Sequence, residues 1–272
     1  MKMKFFEGCT ALVTGASSGL GAEFARQLAP FAQCLVLVAR RNDLLEELAA
    51  DLRHAHPRLV VRTFVADLAL QERRTALTAW LLEENIAIDF LINNAGLGDH
   101  GSFDSSDWTR VQSMLDLNIT ALTHLTHLLV NRMVIRGRAA ILNVSSVAGF
   151  FPLPNMAVYS ATKAYVTSFS EALAIELRPK GITVTALCPG PVPTEFFGVA
   201  TRPGEEDRAS HFKTFSALVA SPADVVRAGL QAIASDRARV IPGPLLATAV
   251  TLALVVPFCI IRRILSWKAA SI

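Results

Sequence analysis

A tyrosine and a lysine at helical spacing, Tyr159 and Lys163, form the pair in this sequence best suited to acid–base chemistry. Residues four apart on a helix lie on the same face, one turn from each other. A free phenol has a pKa of about 10, which is too high for efficient proton transfer at neutral pH. A neighbouring ammonium favours the phenolate and lowers that pKa, so the pair suits the making or breaking of an alcohol O–H bond. The spacing also occurs by chance, so it indicates a catalytic pair only if the rest of the chain supplies a hydride carrier.

Three polar residues could support this pair. Ser145 and Ser146 end an apolar segment, and Ser146 lies thirteen positions before Tyr159. A serine hydroxyl beside the phenol can bind a substrate oxygen while the proton moves. Asn118 is an amide among apolar neighbours and therefore needs hydrogen-bond partners. Those partners are either a neighbouring carbonyl or a polar relay near the site.

A glycine-rich stretch near the start of the chain predicts a phosphate-binding loop. Gly15-Ala-Ser-Ser-Gly19-Leu-Gly21 follows an apolar strand pattern at residues 9–14 and opens a helical pattern that Pro30 ends. Glycines let the backbone approach a pyrophosphate, and the helix N-terminus offers free N–H groups to it. An ordinary glycine-rich turn is the alternative, but the flanking strand and helix favour a nucleotide.

Two arginines follow the second strand pattern, at residues 34–39, and bear on which nucleotide binds. An acidic residue at this place binds the 2′-hydroxyl of NAD, whereas arginine accommodates the 2′-phosphate of NADP. Arg40 and Arg41 stand there, and the first acid, Asp43, already belongs to the next helical pattern. NADP is therefore favoured over NAD, and the alternative is a pair of solvated residues at the start of a helix.

The remaining pattern alternates strands and helices. Further strands are predicted at 60–66, 88–92, 139–144 and 182–187, and one long helix at 106–134. The fold class is therefore α/β, with a doubly wound parallel sheet in one domain. The chemically interesting residues follow strand ends, where open sheets of this class bind ligands. Asp67 follows one such end, and either faces the adenine or caps the next helix.

Composition excludes several other classes. Of the 272 residues, 52% are hydrophobic and 18% charged, which argues against disorder, and the net charge of +3 is too small to indicate nucleic-acid binding. Four scattered cysteines predict reduced thiols and no metal site, and His124 and His127 lack a third ligand. The first residues show no apolar run typical of a signal peptide, so we expect a cytoplasmic protein.

In their order along the chain, these motifs resemble the short-chain dehydrogenase/reductase (SDR) family over residues 8–241, including Asn93-Asn-Ala-Gly96 and Pro189-Gly190. The resemblance implies a Rossmann-type fold and hydride transfer between NADP(H) and a carbonyl or alcohol carbon. It also implies that Tyr159 is the general acid/base, that Lys163 lowers the tyrosine pKa and holds the nicotinamide ribose, and that Asn118 supports a water relay. The family's usual interval to the tyrosine selects Ser146 over Ser145 as the residue that binds the substrate oxygen.

The residues expected at the cofactor share a position at strand ends or just after them: Gly15, Ser17, Ser18, Gly19, Leu20, Gly21, Arg40, Arg41, Asp67, Leu68, Asn94, Ala95, Gly96, Tyr159, Lys163, Pro189, Gly190, Val192 and Thr194. The substrate site is expected to combine Ser146 and Tyr159 with an apolar pocket that includes Phe151, Phe196 and Phe197, although some of these phenylalanines could be core residues. We also expect a homodimer or homotetramer.

The domain is predicted to cover residues 1–241, followed by a hydrophobic C-terminal extension at 242–272. Residues 245–261 carry no charge, and Arg262 and Arg263 follow them. We favour packing over the substrate mouth or a subunit interface. Peripheral membrane contact through 245–267 is the second interpretation, and a membrane span ranks last because the run is short and Pro257 interrupts it.

Two rival functions use the same fold. A protein that senses or scaffolds NADP(H) without turnover commonly lacks the tyrosine or the lysine, and both are present here. An epimerase or dehydratase would use the bound cofactor without net turnover. We expect an oxidoreductase.

Overall fold

The computed structural model describes residues 2–136, 139–202, 219–257, 259–263 and 265. Seven parallel strands form one sheet in the order β3-β2-β1-β4-β5-β6-β7. The strands are β1 (Thr10–Thr14), β2 (Cys34–Ala39), β3 (Val60–Val65), β4 (Phe90–Asn93), β5 (Ala139–Val144), β6 (Ile182–Leu187) and β7 (Arg239–Val240). This confirms the predicted doubly wound parallel sheet of the Rossmann type.

Helices alternate with the strands. They are α1 (Gly19–Leu28), α2 (Asn42–Ala55), α3 (Gln71–Glu83), α4 (Trp108–Leu115), α5 (Leu122–Arg136), α6 (Ala157–Leu177), α7 (Glu195–Ala200), α8 (Pro222–Ile233) and α9 (Pro244–Val255). Short 3-10 turns lie at Lys2–Phe6, Phe103–Ser105, Val147–Phe150 and Arg178–Lys180.

The core consists of two apolar layers, one on each face of the sheet. Successive residues of a strand point to opposite faces, so Val13 belongs to one layer and Leu12 to the other. The first layer contains side chains of α1, α2 and α8, and the second contains side chains of α3, α5 and α6. Because both faces are covered, a central strand such as β2 can be apolar at almost every position.

The strand order places a ligand crevice at the middle of the sheet. β1 lies between β2 and β4, so the connections that leave β1 and β4 run in opposite directions across the sheet. In open α/β sheets this reversal opens a crevice beyond the carboxyl ends of the strands. The glycine-rich loop follows β1, and the Asn93–Gly96 segment begins at the end of β4.

The helix predicted at 106–134 is divided. α4 ends at Leu115, a π-helical turn covers Asp116–Ala121, and α5 continues from Leu122. A π-helical turn inserts extra backbone into a helix and is frequent at functional sites. Asn118 lies within this turn and is 1% exposed. The sequence pattern did not reveal the turn, because both flanking helices are periodic and no proline or glycine interrupts them.

The C-terminal helix α9 packs against the turn at Val147–Phe150. Its Leu246 and Val250 are buried, whereas Leu252 and Val255 are exposed. Within the described ranges, no helix is long and apolar enough to cross a membrane. The boundary after residue 241 stays a prediction, and residues 266–272 of the extension lie outside the described part.

Candidate active site

One cavity of about 660 Å³ runs along the carboxyl ends of the strands. It joins the glycine-rich loop to the helix that carries Tyr159 and is lined by all but three of the predicted site residues. Two of the exceptions are Gly21 and Asn118, which lie behind the lining. The third, Phe197, has a side chain outside the described part of the structure.

Close packing explains the glycines of the loop. Gly15 and Gly19 have φ values of +65° and +54°, in the left-handed region that favours glycine. A Cβ on Gly21 would lie 2.1 Å from the carbonyl oxygen of Gly15, so the loop can fold back on α1 only if residue 21 has no side chain. Asn94 also fixes the loop, since its Nδ2 donates to the carbonyl oxygen of Thr14 at 2.9 Å.

Arg41 contacts two other segments of the cavity wall, although its side chain is exposed. Its Nη2 donates to Ser18 Oγ at 2.6 Å, and its Nη1 lies 2.9 Å from Glu195 Oε2. Arg40 lies 3.7 Å from Asp67 Oδ2. Both guanidinium groups are thus held near the glycine-rich loop, at one end of the cavity.

Asp67 does not cap the following helix. Its Oδ1 accepts the N–H of Ala69 at 3.0 Å, within the connection itself, and α3 begins only at Gln71. The capping alternative is therefore wrong. The carboxylate lies in the cavity wall, which agrees with its expected position at the nucleotide.

Tyr159 and Lys163 lie on the same face of α6 and are both buried, with 7% and 5% exposure. The Lys163 Nζ lies 5.7 Å from the centre of the tyrosine ring and donates to the carbonyl oxygen of Val144 at 2.9 Å. Burial raises the pKa of Tyr159 to about 12, and a hydrogen bond with Ser146 acts in the opposite direction. Burial lowers the pKa of Lys163 to about 8, and Cys188 opposes that change.

The two serines occupy different environments. Ser145 is 2% exposed and donates to the carbonyl oxygen of Lys163 at 2.7 Å. It also pairs with Thr167 Oγ1 at 2.7 Å. Ser146 lines the cavity, contacts Tyr159 and accepts the N–H of Ala148 at 3.1 Å. The structure therefore brings Ser146, and not Ser145, to the phenol.

The amide of Asn118 joins three segments. Its Oδ1 accepts the N–H of Leu97 at 2.8 Å, and its Nδ2 donates to the carbonyl oxygen of Leu97 at 2.8 Å and to Thr162 Oγ1 at 3.0 Å. A hydrogen bond to a carbonyl oxygen, one of the two alternatives expected for Asn118, is therefore present. The same amide also lies near Lys163, because a Cβ on Gly96 would be 3.2 Å from Asn118 Oδ1 and 3.5 Å from Lys163 Nζ.

The other end of the cavity is apolar. Phe151 and Phe196 line it, and the Phe196 ring lies 5.6 Å from the Tyr159 ring at 47°. Further apolar side chains line the cavity that were not predicted as site residues from the sequence, among them Leu97, Leu153, Met156 and Leu246. Two of them could have been found from their place in Phe151-Pro-Leu-Pro-Asn-Met156, which connects the serine to the tyrosine. Leu246 belongs to the apolar run that was expected over the substrate mouth.

The described part of the chain contains several histidines, cysteines and carboxylates. Its His, Cys, Asp and Glu side chains form no group of three that could hold an ion. His124, one of the two histidines considered above, instead accepts a hydrogen bond from Arg74 Nε at 3.0 Å. Its pKa is lowered by burial and by the neighbouring positive charge of Arg74.

A glycine-rich loop, two arginines and a Ser-Tyr-Lys group around one crevice define an oxidoreductase of the dinucleotide-binding class. Comparison with known proteins identifies the family. Residues 9–203 match the short chain dehydrogenase family model, and the chain belongs to that family of NAD(P)-dependent enzymes.

Individual relatives and solved structures support this membership. A very-long-chain 3-oxoacyl-CoA reductase of Pyrenophora tritici-repentis is 35% identical over 83% of this chain, but the match spans only 63% of that relative's length. A short-chain dehydrogenase from Sphingobium yanoikuyae in complex with NADPH is 37% identical, with a TM-score of 0.78 over 90% of this chain and 92% of that one. The bulky-bulky ketone specific alcohol dehydrogenase from Comamonas testosteroni is 32% identical, with a TM-score of 0.74 over 90% and 91%.

Proposed function

We propose that this protein is an NADP(H)-dependent dehydrogenase/reductase that acts on a bulky apolar carbonyl or alcohol compound. The observation that carries the proposal is the continuous cavity. It is lined by Arg40, Arg41 and the glycine-rich loop at one end, by Tyr159 and Lys163 further along, and by apolar side chains at the other end. Such a cavity suits a dinucleotide and a carbonyl compound side by side.

The chemistry of the lining fits the nucleotide. Serine hydroxyls and two guanidinium groups at one end suit phosphates, and the buried Lys163 ammonium suits ribose hydroxyls. We assign the adenosine half to Arg40, Arg41 and the segment after Asp67, and the nicotinamide half to the Pro189–Thr194 loop. When bound, the nicotinamide supplies or accepts the hydride.

NADP(H) preference rests on Arg40 and Arg41. The acidic double variant Arg40→Glu/Arg41→Glu should raise the KM for NADPH sharply and leave the KM for NADH nearly unchanged, because only NADPH carries the 2′-phosphate. The Sphingobium enzyme, which is similar to this chain, is likewise in complex with NADPH. Equal losses with both nucleotides would contradict the assignment.

The side chains then have distinct roles in the reduction. Ser146 and Tyr159 hold the carbonyl oxygen, and Tyr159 Oη delivers its proton to that oxygen as the alcohol forms. The Lys163 ammonium stabilises the resulting phenolate. Asn118 lies beside Lys163 and is assigned a relay that returns a proton from solvent. In alcohol oxidation the tyrosine accepts the proton instead.

The apolar end of the cavity limits the substrate class. Phe151, Leu153, Met156, Phe196 and Leu246 offer a large surface with few polar groups, so bulky apolar groups on the carbonyl carbon should bind well. The names of the Comamonas and Pyrenophora relatives agree with a substrate that carries large groups. Phe197 stays a predicted substrate contact.

NADPH oxidation with a panel of ketones tests the reaction. Hexanophenone should be reduced with a much higher kcat/KM than acetone, and Tyr159→Phe should abolish turnover while it keeps NADPH binding. Tight NADPH binding without turnover on aldehydes, ketones and quinones would favour a sensing protein instead.

We also propose a cytoplasmic homodimer or homotetramer whose residues 245–267 touch a membrane surface. Leu252 and Val255 are exposed on α9, and Arg262 and Arg263 are exposed beyond it, a combination that suits an anionic lipid interface. Light scattering tests the oligomer. Flotation with phosphatidylglycerol vesicles tests the membrane contact. The double variant Leu252→Asp/Val255→Asp should abolish vesicle binding, and the control Thr248→Asp should weaken it less.

A further inference from the structure

A buried carboxylate outside the main cavity holds two segments of the chain together. Asp99, in the connection from β4 to α4, is 7% exposed. Its Oδ1 and Oδ2 accept hydrogen bonds from Arg202 Nε at 3.1 Å and Nη2 at 2.6 Å. The Arg202 side chain is itself only 15% exposed, and its Nη1 also donates to the carbonyl oxygen of Ser102 at 3.0 Å. Because two hydrogen bonds join the two groups, they fix the orientation of the Arg202 guanidinium as well as its distance from the Asp99 carboxylate.

Arg202 lies two residues beyond the end of the short helix α7, so the bond to Asp99 holds the chain just after that helix. The neighbouring backbone adds to the attachment, because the N–H of His100 donates to the carbonyl oxygen of Ala200 at 3.0 Å. Gly98 permits the close approach. A Cβ there would lie 2.7 Å from Phe196 Cζ and 3.0 Å from Ala200 Cβ.

The position of α7 determines which side chain packs against the phenol of Tyr159. Phe196, in the first turn of this helix, lines the cavity and lies against the Tyr159 ring. Asp99 does not line the main cavity, and its bond to Arg202 links it to the site through α7. Six residues of helix cannot hold a fixed orientation by their own hydrogen bonds, so an external attachment decides where Phe196 lies.

We propose that Asp99 and Arg202 are positioning residues that place Phe196 over Tyr159 and thereby shape the apolar wall of the substrate site. The inference rests on the proposed function for its kinetic test. The pair acts mainly on the binding of bulky carbonyl compounds, because Phe196 lies at the apolar end of the cavity.

Arg110 provides a matched control. Its Nε lies 2.9 Å from Asp99 Oδ1, but it belongs to α4, and its Nη2 donates to the carbonyl oxygen of Gly98 at 3.1 Å. Arg110→Met removes a positive charge from the same carboxylate and leaves the bond between Asp99 and Arg202 in place.

The experiment compares Arg202→Met, Asp99→Asn, Phe196→Ala and Arg110→Met in the full-length protein, with NADPH and hexanophenone or acetone. The first three should each lower kcat/KM for hexanophenone by about tenfold, mainly through KM, and change the NADPH affinity little. The loss with acetone should be smaller. Arg110→Met should change kcat/KM for hexanophenone by less than about threefold.

A double variant separates positioning from general damage. If Arg202 acts through Phe196, Arg202→Met/Phe196→Ala should be no worse than the poorer single variant. Losses that multiply, or an unchanged KM in Arg202→Met and Asp99→Asn, would overturn the inference. Arg202→Lys, which keeps the charge but loses the two-bond geometry, replaces Arg202→Met if that variant does not fold.

Amide hydrogen exchange supplies a readout that needs no substrate. Residues 195–202 should exchange faster in Arg202→Met than in the wild type or Arg110→Met, and peptides of α1 should be unchanged. If the wild type reduces no ketone, the proposed function fails, while the exchange result still decides whether the pair holds α7. Unchanged exchange in that segment would overturn the inference.

Discussion

At the scale of single residues, burial sets the protonation states of the acid–base pair. Burial disfavours the charged form of each group, so it raises the pKa of Tyr159 and lowers that of Lys163. At neutral pH the phenol is protonated and the ammonium is largely charged. This is the state required for delivery of a proton to a carbonyl oxygen. The expected lowering of the tyrosine pKa by the ammonium stays a prediction.

The pH dependence of ketone reduction follows from these values. The Lys163 ammonium loses its proton as the pH rises through about 8, and the phenolate then loses its stabilising charge. We therefore expect kcat/KM for reduction to be flat near neutral pH and to fall above about pH 8. A pH–rate profile measures this, and a rate that rises through the same range would contradict it.

The neighbouring serines should respond differently to the same substitution. Ser146→Ala removes a group that contacts the phenol, so kcat should fall by about 10²–10³ with little change in stability. Ser145→Ala removes two buried hydrogen bonds, to the Lys163 carbonyl and to Thr167, and should cost about 1–3 kcal/mol of unfolding free energy. Ketone kinetics and urea denaturation of both variants provide the measurement. A loss of kcat in Ser145→Ala and a loss of stability in Ser146→Ala would contradict these roles.

At the scale of secondary structure, short connections bring distant residues to the crevice. The turn at Val147–Phe150 packs directly on α6, and the π-helical turn places Asn118 against the connection after β4. α7 is attached at its other end through Glu195 and Arg41. These attachments matter because each of the connections is too short to keep its shape alone.

Gly149 should be irreplaceable for this reason. A Cβ at this position would lie 2.6 Å from the backbone nitrogen of Ala164, so Gly149→Ala must push the turn away from α6. We expect about 1–3 kcal/mol of destabilisation and a large loss of turnover. Gly198→Ala is the control, since no atom of the described residues lies within 4 Å of its Cβ, and its helical position should make it neutral or stabilising by up to about 1 kcal/mol. Denaturant melts of the two variants test this.

Glu195 should compete with the 2′-phosphate for Arg41. The carboxylate lies 2.9 Å from Arg41 Nη1, and the arginine lowers the pKa of Glu195 by hydrogen bonding and charge. Glu195→Gln removes the competing charge, so the Kd for NADPH should fall by about two- to fivefold, as for an exposed ion pair. The Kd for NADH should not change. Fluorescence titration measures both, and a weaker affinity for NADPH would show that Glu195 supports the site.

At the scale of the whole molecule, both halves of the sheet contribute to one crevice. The glycine-rich loop and Arg41 follow strands on one side of the β1–β4 switch, and Ser146 and the Pro189–Thr194 loop follow strands on the other. A ligand that contacts both halves opposes the unfolding of either. Cofactor binding and global stability should therefore be coupled.

Thermal unfolding tests that coupling. NADPH at about one hundred times its Kd should stabilise the native state by about 2.7 kcal/mol and raise Tm in one cooperative transition. Tyr159→Phe should keep the shift, whereas Arg40→Glu/Arg41→Glu should lose most of it. Two separate transitions, only one of them sensitive to NADPH, would contradict the coupling.

The sequence by itself determined the parts of this protein that depend on local pattern. Apolar strand runs, the glycine spacing and the alternation of strand and helix fixed the fold class, because period and turn chemistry are properties of neighbouring residues. The same pattern located the strand ends, and nearly every site residue predicted from it lies in the cavity wall.

Only the tertiary structure decided contacts between residues far apart in the chain. It placed Ser145 against the Lys163 carbonyl and Ser146 at the phenol, brought Leu246 of α9 into the cavity wall, and joined Asp99 to Arg202. These outcomes depend on how the elements pack, and packing depends on the shapes and distances of many side chains at once. No spacing along the chain carries that information.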